Sequence, residues 1–445
     1  MTGTDTLTSL QKGTITGLLL AGCFVGSLAS SPMCEAISRK WGILVASYVF
    51  MVGAALQTAT VNYASMVIGR AIAGLGVGGL SMLVPLYISE LSPKHIRGRL
   101  IGLQQFTITV GLMVSFWIGA GTTLHFSDNR TFRIPLGFQI FPALVLACGI
   151  FFLPYSPRWL ASKGRFSDCL HVLAYLRANG NENDPFVLAE FEEIRRVIDL
   201  EKSQANSSYT DLFKGSARRR VILGMGIQMF QQFSGINSIM YYAPTMFRQA
   251  GISQQNAALL ACGVSGVVNV LATIPGILLL DTLGRRKVLI SGAVWMGSSM
   301  IVCGAIMAAY GRIEFDVALN EYVVDMSETV GASYVCIFMI YLFVAGFAAS
   351  WGPCAWVYPS EIYPLRIRSK GTSLSTAANW LMNFVISEVV PVMLARITWG
   401  TYIFFGCGCM IMAVCVFLFF PETKGRSLEV ILKKESSPCL ITFTV

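Results

Sequence analysis

Charge is scarce in this sequence. Of its 445 residues 13% are charged, where soluble domains carry roughly 25%, and that deficit excludes a large water-facing surface. Histidine is scarcer still, at three. There is no G-x-S-x-G nucleophile elbow and no G-x-x-x-x-G-K-S/T phosphate loop, so no enzyme, cofactor or metal site is expected. The twelve cysteines fall mostly within apolar runs and lack the spacing of a disulfide framework or a zinc site. Cys23, Cys148, Cys262 and Cys415 read as small apolar packing residues. Met1 to Leu10 contains no basic stretch leading into a cleavable apolar core, so no signal peptide is expected.

Apolar runs fill the rest. Hydrophobic residues make up 54% of the chain and mean hydropathy is +0.62. Eleven stretches near 13–31, 43–61, 66–88, 100–120, 134–153, 220–243, 257–280, 288–309, 333–358, 371–394 and 400–420 carry few or no charges. Each is long enough to cross about 30 Å of hydrocarbon as a helix. The 42 glycines suit close helix packing in a membrane rather than loops. An integral, multi-pass all-α membrane protein follows, with the lipid bilayer as its main surroundings.

The basic residues orient it. Loops assigned alternately to two sides hold 26 Lys and Arg on one and 6 on the other, with Arg70 inside a span. The positive-inside rule makes the richer side cytoplasmic. The net charge of +9 therefore reflects topology and not a nucleic-acid surface. The sequon Asn129-Arg130-Thr131 falls outside, while Asn206-Ser207-Ser208 falls inside. A cytoplasmic C-terminus after eleven spans places Met1 outside, as though one helix were missing from the front.

The loops also repeat. "EAISRKWG" from Glu35 and "DTLGRRK" from Asp281 both set an acid four residues before two bases. "ELSPKHIRG" from Glu90 and "EIYPLRIR" from Glu361 both read Glu-x-x-Pro-x-x-x-Arg. The offsets are 246 and 271 residues, so the second half retraces the first. Parallel halves around a midplane site are a transporter architecture. The expected division is 1–153 as an N-terminal bundle of five visible spans and 154–219 as a cytoplasmic helical loop. A six-helix bundle over 220–420 and a cytoplasmic tail over 421–445 complete it.

From Gly13 to Glu429 the chain resembles the sugar porter family of the major facilitator superfamily, in particular fungal-type hexose transporters. The motifs are "GRAIAGLGVGG" from Gly69, "VPLYISE" from Val84, "SPRW" from Ser156, "QQFSGIN" from Gln231 with Tyr241-Tyr242, "DTLGRR" from Asp281, "GPCAWVYPSE" from Gly352 and "PETKGRSLE" from Pro421. Three departures stand out. Glu35 and Ser38 replace the usual Asp and Gly, Tyr155 replaces a Glu, and the family's first span has no counterpart. The resemblance implies two parallel helical bundles, twelve helices in the family, around a central cavity.

The stretch "IQMFQQFSGINSIMYYAP", 227–244, sets four amides inside an apolar run. At about 100° per residue, Gln228 and Gln232 fall within about 40° of each other, with Gln231 to one side. Asn237 and Tyr241 lie about 140° away from Gln232. One straight helix cannot aim both groups at one cavity, so a break at Ser234-Gly235 is expected. Primary amides offer two donors and an acceptor and can span adjacent ring hydroxyls; Trp356 and Trp380 offer flat faces and an indole N–H. The near absence of acid at mid-membrane argues against a cationic substrate and for a neutral polyhydroxyl one. The resemblance implies that Gln105, Gln231, Gln232, Asn237, Asn269, Trp356 and Asn383 contact the sugar. It sets Phe347, Asn379 and Trp380 near the site or its gate. The competing reading makes such amides mere ties between helices, and Tyr241-Tyr242 interfacial belt residues.

Glu35, Arg39, Glu90, Arg97, Asp281, Arg285, Glu361 and Arg368 are expected to form a cytoplasmic gate, pairing between the bundles when the site faces outward. In proton-coupled members of the family an acid on the first span pairs with the base at the position of Arg70, and that acid has no counterpart here. The expected function is transport of a hexose or related monosaccharide by alternating access, as uniporter or proton symporter, by a monomer in the plasma membrane. The alternatives are a pentose, polyol or disaccharide transporter, a non-transporting sugar sensor, and an inactive or truncated chain.

Overall fold

A computed structural model describes residues 9–93, 95–202, 209–240, 263–316, 321–326 and 329–423. The first half runs α1 (Ser9–Ile37), α2 (Arg39–Thr58), α3 (Tyr63–Leu91), α4 (Arg97–His125), α5 (Arg130–Phe138) and α6 (Ile140–Gly149). A helical unit follows, with α7 (Pro157–Ser162), α8 (Phe166–Ala178) and α9 (Pro185–Lys202). The second half holds α10 (Gly215–Phe233), α11 (Ser265–Leu283), α12 (Arg285–Tyr310), α13 (Val330–Ala349), α14 (Trp351–Ile362), α15 (Arg368–Ile397) and α16 (Gly400–Phe419). Among the described residues ten spans are long and apolar enough to cross a membrane, α5–α6 and α13–α14 each counting as one. The protein is a multi-pass integral membrane protein. Most of the expected spans match helices, while the ends of 220–243 and 257–280 lie partly outside the described residues, as do Tyr241, Tyr242 and much of the tail over 421–445.

Local chemistry sets several boundaries. Asn62 and Ser65 form a reciprocal capping box at the start of α3, with Ser65 N donating to Asn62 Oδ1 at 2.8 Å. Ser156 caps α7, and Pro157 takes the first helical position, where its missing N–H costs nothing. The α1–α3 seam is built on small residues. A Cβ on Gly26 would lie 2.2 Å from Leu75 O, and one on Gly78 2.1 Å from Cys23 O, so the two backbones touch. Leu278, Val294, Ile411 and Phe417 are more than half or nearly half exposed, as suits side chains facing lipid.

Two features depart from the expected pattern. The stretch 333–358 is not one helix: it breaks at Ser350 (φ −133°, ψ −81°) between α13 and α14. Between α12 and α13 lies an antiparallel hairpin, β1 (Arg312–Asp316) and β2 (Glu321–Asp325), in an otherwise helical fold. The unit α7–α9 has a core of its own, including Trp159, Leu160, Cys169, Leu173 and Ile194. Burial and the neighbouring Glu190 push the Cys169 thiol up to about 12, which leaves it protonated and unreactive at neutral pH.

Candidate functional site

The helix break expected at Ser234-Gly235 is present. α10 stops at Phe233, Gly235 takes φ +86°, and residues 236–240 resume as helix. A Cβ on Gly235 would sit 2.6 Å from the Phe405 ring, so the position has neither the backbone freedom nor the space for a side chain. The turn brings Asn237 back onto the face of Gln232, whose Oε1 accepts from Asn237 Nδ2 at 2.5 Å.

A cavity of about 600 Å³ lies between the halves, and Gln105, Gln231, Gln232, Asn237, Asn269, Phe347, Trp356, Asn379, Trp380 and Asn383 all line it. Among the described residues that line it, none carries a charged side chain. The amides divide by what they already bond. Gln231 donates to Trp351 O and Gly352 O at 3.3 Å, and Trp380 Nε1 donates to Ser81 Oγ at 2.9 Å. By contrast Asn269 Oδ1 and Asn383 Oδ1 are buried with no hydrogen-bond partner among the described residues. Buried acceptors without partners are rare in folded proteins, and here they border a void.

Sequence reasoning missed Gln104 and Ser81, which also line the cavity. Gln104 Oε1, like the two asparagines, is buried without a partner among the described residues. The signal was the adjacent pair Gln104-Gln105, which mirrors Gln231-Gln232. Gln228 belongs elsewhere. It does not line the cavity, and its Nε2 donates to Ala355 O at 2.8 Å. Pro359 has no N–H for the carbonyl four residues before it, so Gln228 supplies the donor that α14 lacks.

A second, apolar cavity of about 590 Å³ flanks the first half between α2, α3, α4 and α6, lined by Ile43, Val84, Ile88, Leu100, Leu103 and Leu146 among others. Val84, Gln104 and Leu146 line both cavities, so the two spaces adjoin.

The charged loops repeat in space as they do in sequence. Arg39 Nε meets Glu90 Oε2 at 3.1 Å, and Arg285 Nη2 meets Glu361 Oε1 at 2.9 Å. Each acid also accepts from a hydroxyl that follows its own half: Ser156 Oγ to Glu90 at 2.5 Å, Thr423 Oγ1 to Glu361 at 2.7 Å. These pairs tie each half to itself and do not bridge the two, contrary to the expected gate. The reason is local: Arg39 opens α2 beside the end of α3, and Arg285 opens α12 beside the end of α14. The observed ties across the halves start from the other acids. Asp281 Oδ2 lies 3.5 Å from Arg99 Nε and accepts from Arg99 N at 3.1 Å. Glu35 meets Lys370 Nζ at 3.7 Å and accepts from Ser369 Oγ. Arg99 and Lys370 are 271 residues apart, the repeat's own offset, and neither was among the expected gate residues. Arg97 and Arg368 are buried beside them, Arg368 Nε donating to Tyr363 O at 3.2 Å. Arg70 is half-buried in α3, and its Nε has no hydrogen-bond partner among the described residues.

Two helical halves that repeat one another's charge clusters around a shared neutral cavity define a transporter of the major facilitator type. A family profile described as "Sugar (and other) transporter" matches residues 2–433, and the chain belongs to that family. It is 39% identical to a high-affinity glucose transporter of Kluyveromyces lactis over 427 residues, 95% of this chain and 77% of that protein. It is 38% identical to high-affinity glucose transporter 1 of Candida albicans over 426 residues, 94% of this chain and 77% of that one. Among solved structures it is similar to the proton:xylose symporter XylE bound to 6-bromo-6-deoxy-D-glucose. The TM-score is 0.81 at 27% identity, over 95% of this chain and 88% of that one. Against the inward-open conformation of XylE from E. coli the TM-score falls to 0.67 at the same coverage.

Proposed function

We propose that this chain carries a hexose or related monosaccharide across the plasma membrane by alternating access, as a monomer. The observation that carries this reading is the neutral, amide-lined cavity of about 600 Å³. Amides with open valences, Asn269, Asn383 and Asn237 among them, suit hydroxyl groups that both donate and accept. The names of the two yeast relatives favour glucose over pentoses, polyols and disaccharides. Arg99–Asp281 and Lys370–Glu35 hold the cytoplasmic end shut, and breaking them opens the site inward. The name of the proton:xylose symporter XylE supports proton symport as much as uniport. Uptake of radiolabelled glucose in cells lacking their own hexose carriers tests the reading. Saturable glucose uptake supports it, as symport where a protonophore abolishes the uptake and as uniport where it does not. No uptake of any monosaccharide overturns the sugar assignment.

A further inference from the structure

Asn379 lies near the middle of α15 and is 2% exposed. Its Nδ2 is within hydrogen-bond distance of Gln231 Oε1 at 2.8 Å, Gln228 Oε1 at 2.7 Å and Gln228 O at 3.2 Å. Its Oδ1 accepts from Gln232 Nε2 at 3.0 Å. An asparagine amide has two N–H groups, and three acceptors on α10 already compete for them. Gln228, Gln231 and Gln232 stand at i, i+3 and i+4, one face of a helix, so a single side chain of α15 gathers that face.

The remaining valences lie elsewhere. Gln231 uses its N–H groups on Trp351 O and Gly352 O and its oxygen on Asn379. Gln232 commits one N–H to Asn379 and its oxygen to Asn237, which leaves its other N–H open. Asn237 commits one N–H to Gln232 and keeps the other.

We propose that Asn379 is a positioning residue of the sugar site: it takes no substrate hydroxyl itself, and it fixes the rotamers through which Gln232 and Asn237 present theirs. The proposal rests on the sugar reading above. It assigns Asn379 a role that lining the cavity alone would not distinguish from direct contact. It also makes α15 the element that holds the amide face of α10 in register.

The test compares competition of glucose and its single-deoxy analogues against labelled glucose for wild type, Gln232→Ala, Asn379→Ala and the double variant. In Gln232→Ala the analogue lacking the hydroxyl that Gln232 reads loses no further affinity. The expected result is that Asn379→Ala weakens glucose about tenfold, the scale of a buried hydrogen bond, and erases discrimination at that same hydroxyl. The double variant is then within about twofold of Gln232→Ala, as coupled residues require. Discrimination lost at a different hydroxyl, with the two losses multiplying in the double variant, overturns the proposal. If Asn379→Ala does not reach the membrane, the near-isosteric Asn379→Leu removes the same bonds and is read in the same way. A wild type that takes up no sugar overturns the site reading and the proposal together, whereas a transporting wild type with independent losses overturns the proposal alone.

Discussion

Ser38 and Gly284 hold the same backbone conformation at the same point of the repeat, φ 94° and ψ 163° for Ser38, φ 92° and ψ 158° for Gly284. Each sits three residues after the loop acid and directly before the first base. That region is favourable for glycine and costs other residues about 1–3 kcal/mol. The second half meets the requirement with glycine; the first does not.

Ser38→Gly should therefore stabilise the protein. Ser38 Oγ accepts from Trp41 N, but at 3.4 Å, and replacing a serine cap by glycine costs only a few tenths of a kcal/mol. Glycine's greater freedom in the unfolded chain returns about 0.5–1 kcal/mol of the gain. A net gain of about 1 kcal/mol remains, a rise of roughly 2 °C in a melting curve of detergent-solubilised protein. The reverse change, Gly284→Ser, should lower the melting point by more, since its Cβ would lie 2.6 Å from Glu422 Oε2. A lower melting temperature for Ser38→Gly would show that the serine's contacts outweigh its strain.

The charge clusters predict two distinct phenotypes. Arg99 is nearly half exposed, so Arg99→Ala should cost the closed cytoplasmic end about 0.5–1 kcal/mol. That is a two- to fivefold shift toward inward-open molecules, measurable by labelling a cysteine placed in the cytoplasmic vestibule. Glu90 is buried against Arg39 inside one half, and Glu90→Gln should cost about 3–5 kcal/mol of folding stability. Its readout is lost surface protein. If Glu90→Gln folded normally and only shifted the labelling, the pair would belong to the gate after all.

The bond from Gln228 to Ala355 O predicts a non-additive pair. Gln228→Leu leaves the carbonyl opposite Pro359 without a donor, at about 1–3 kcal/mol. Pro359→Ala restores a backbone N–H to that carbonyl, so in its background Gln228→Leu should cost measurably less. Melting temperatures of the four proteins form the cycle. Equal costs in both backgrounds would mean that Gln228 acts through Asn379 alone.

Much of this fold is legible in the chain, for definite reasons. Spans are legible because lipid demands long apolar helices. The break at Gly235 is legible because Gln232 and Asn237 point apart on any straight helix. The break at Ser350 is not, since 333–358 is evenly apolar and no misplaced polar group demands it. Arg99 and Lys370 are not legible although the offset of 271 links them, because the repeated motif ends at Arg97 and Arg368, and they lie two residues beyond it with different side chains. Which half Arg39 and Arg285 would bind depends on helix ends meeting in space, and spacing along the chain does not carry that. The division of the amides into spent and open ones needs the geometry around Asn379.

Gly235 offers the sharpest check of the site's construction. Gly235→Ala meets two obstacles, a positive φ worth about 1–2 kcal/mol to an L-residue and a Phe405 ring with atoms 2.6 to 3.0 Å from the new methyl. Overpacking of that kind costs about 1–3 kcal/mol. The cheapest escape is for the turn to straighten, which swings Asn237 about 140° away from Gln232 and out of its hydrogen bond. Gly235→Ala should then lose most uptake and melt at a lower temperature. Phe405→Leu in the same chain should recover part of the melting loss, by relieving the clash, but little of the uptake, because the backbone conformation stays disfavoured. Full recovery of uptake by Phe405→Leu would mean that space alone, and not the glycine backbone, aims Asn237 into the cavity.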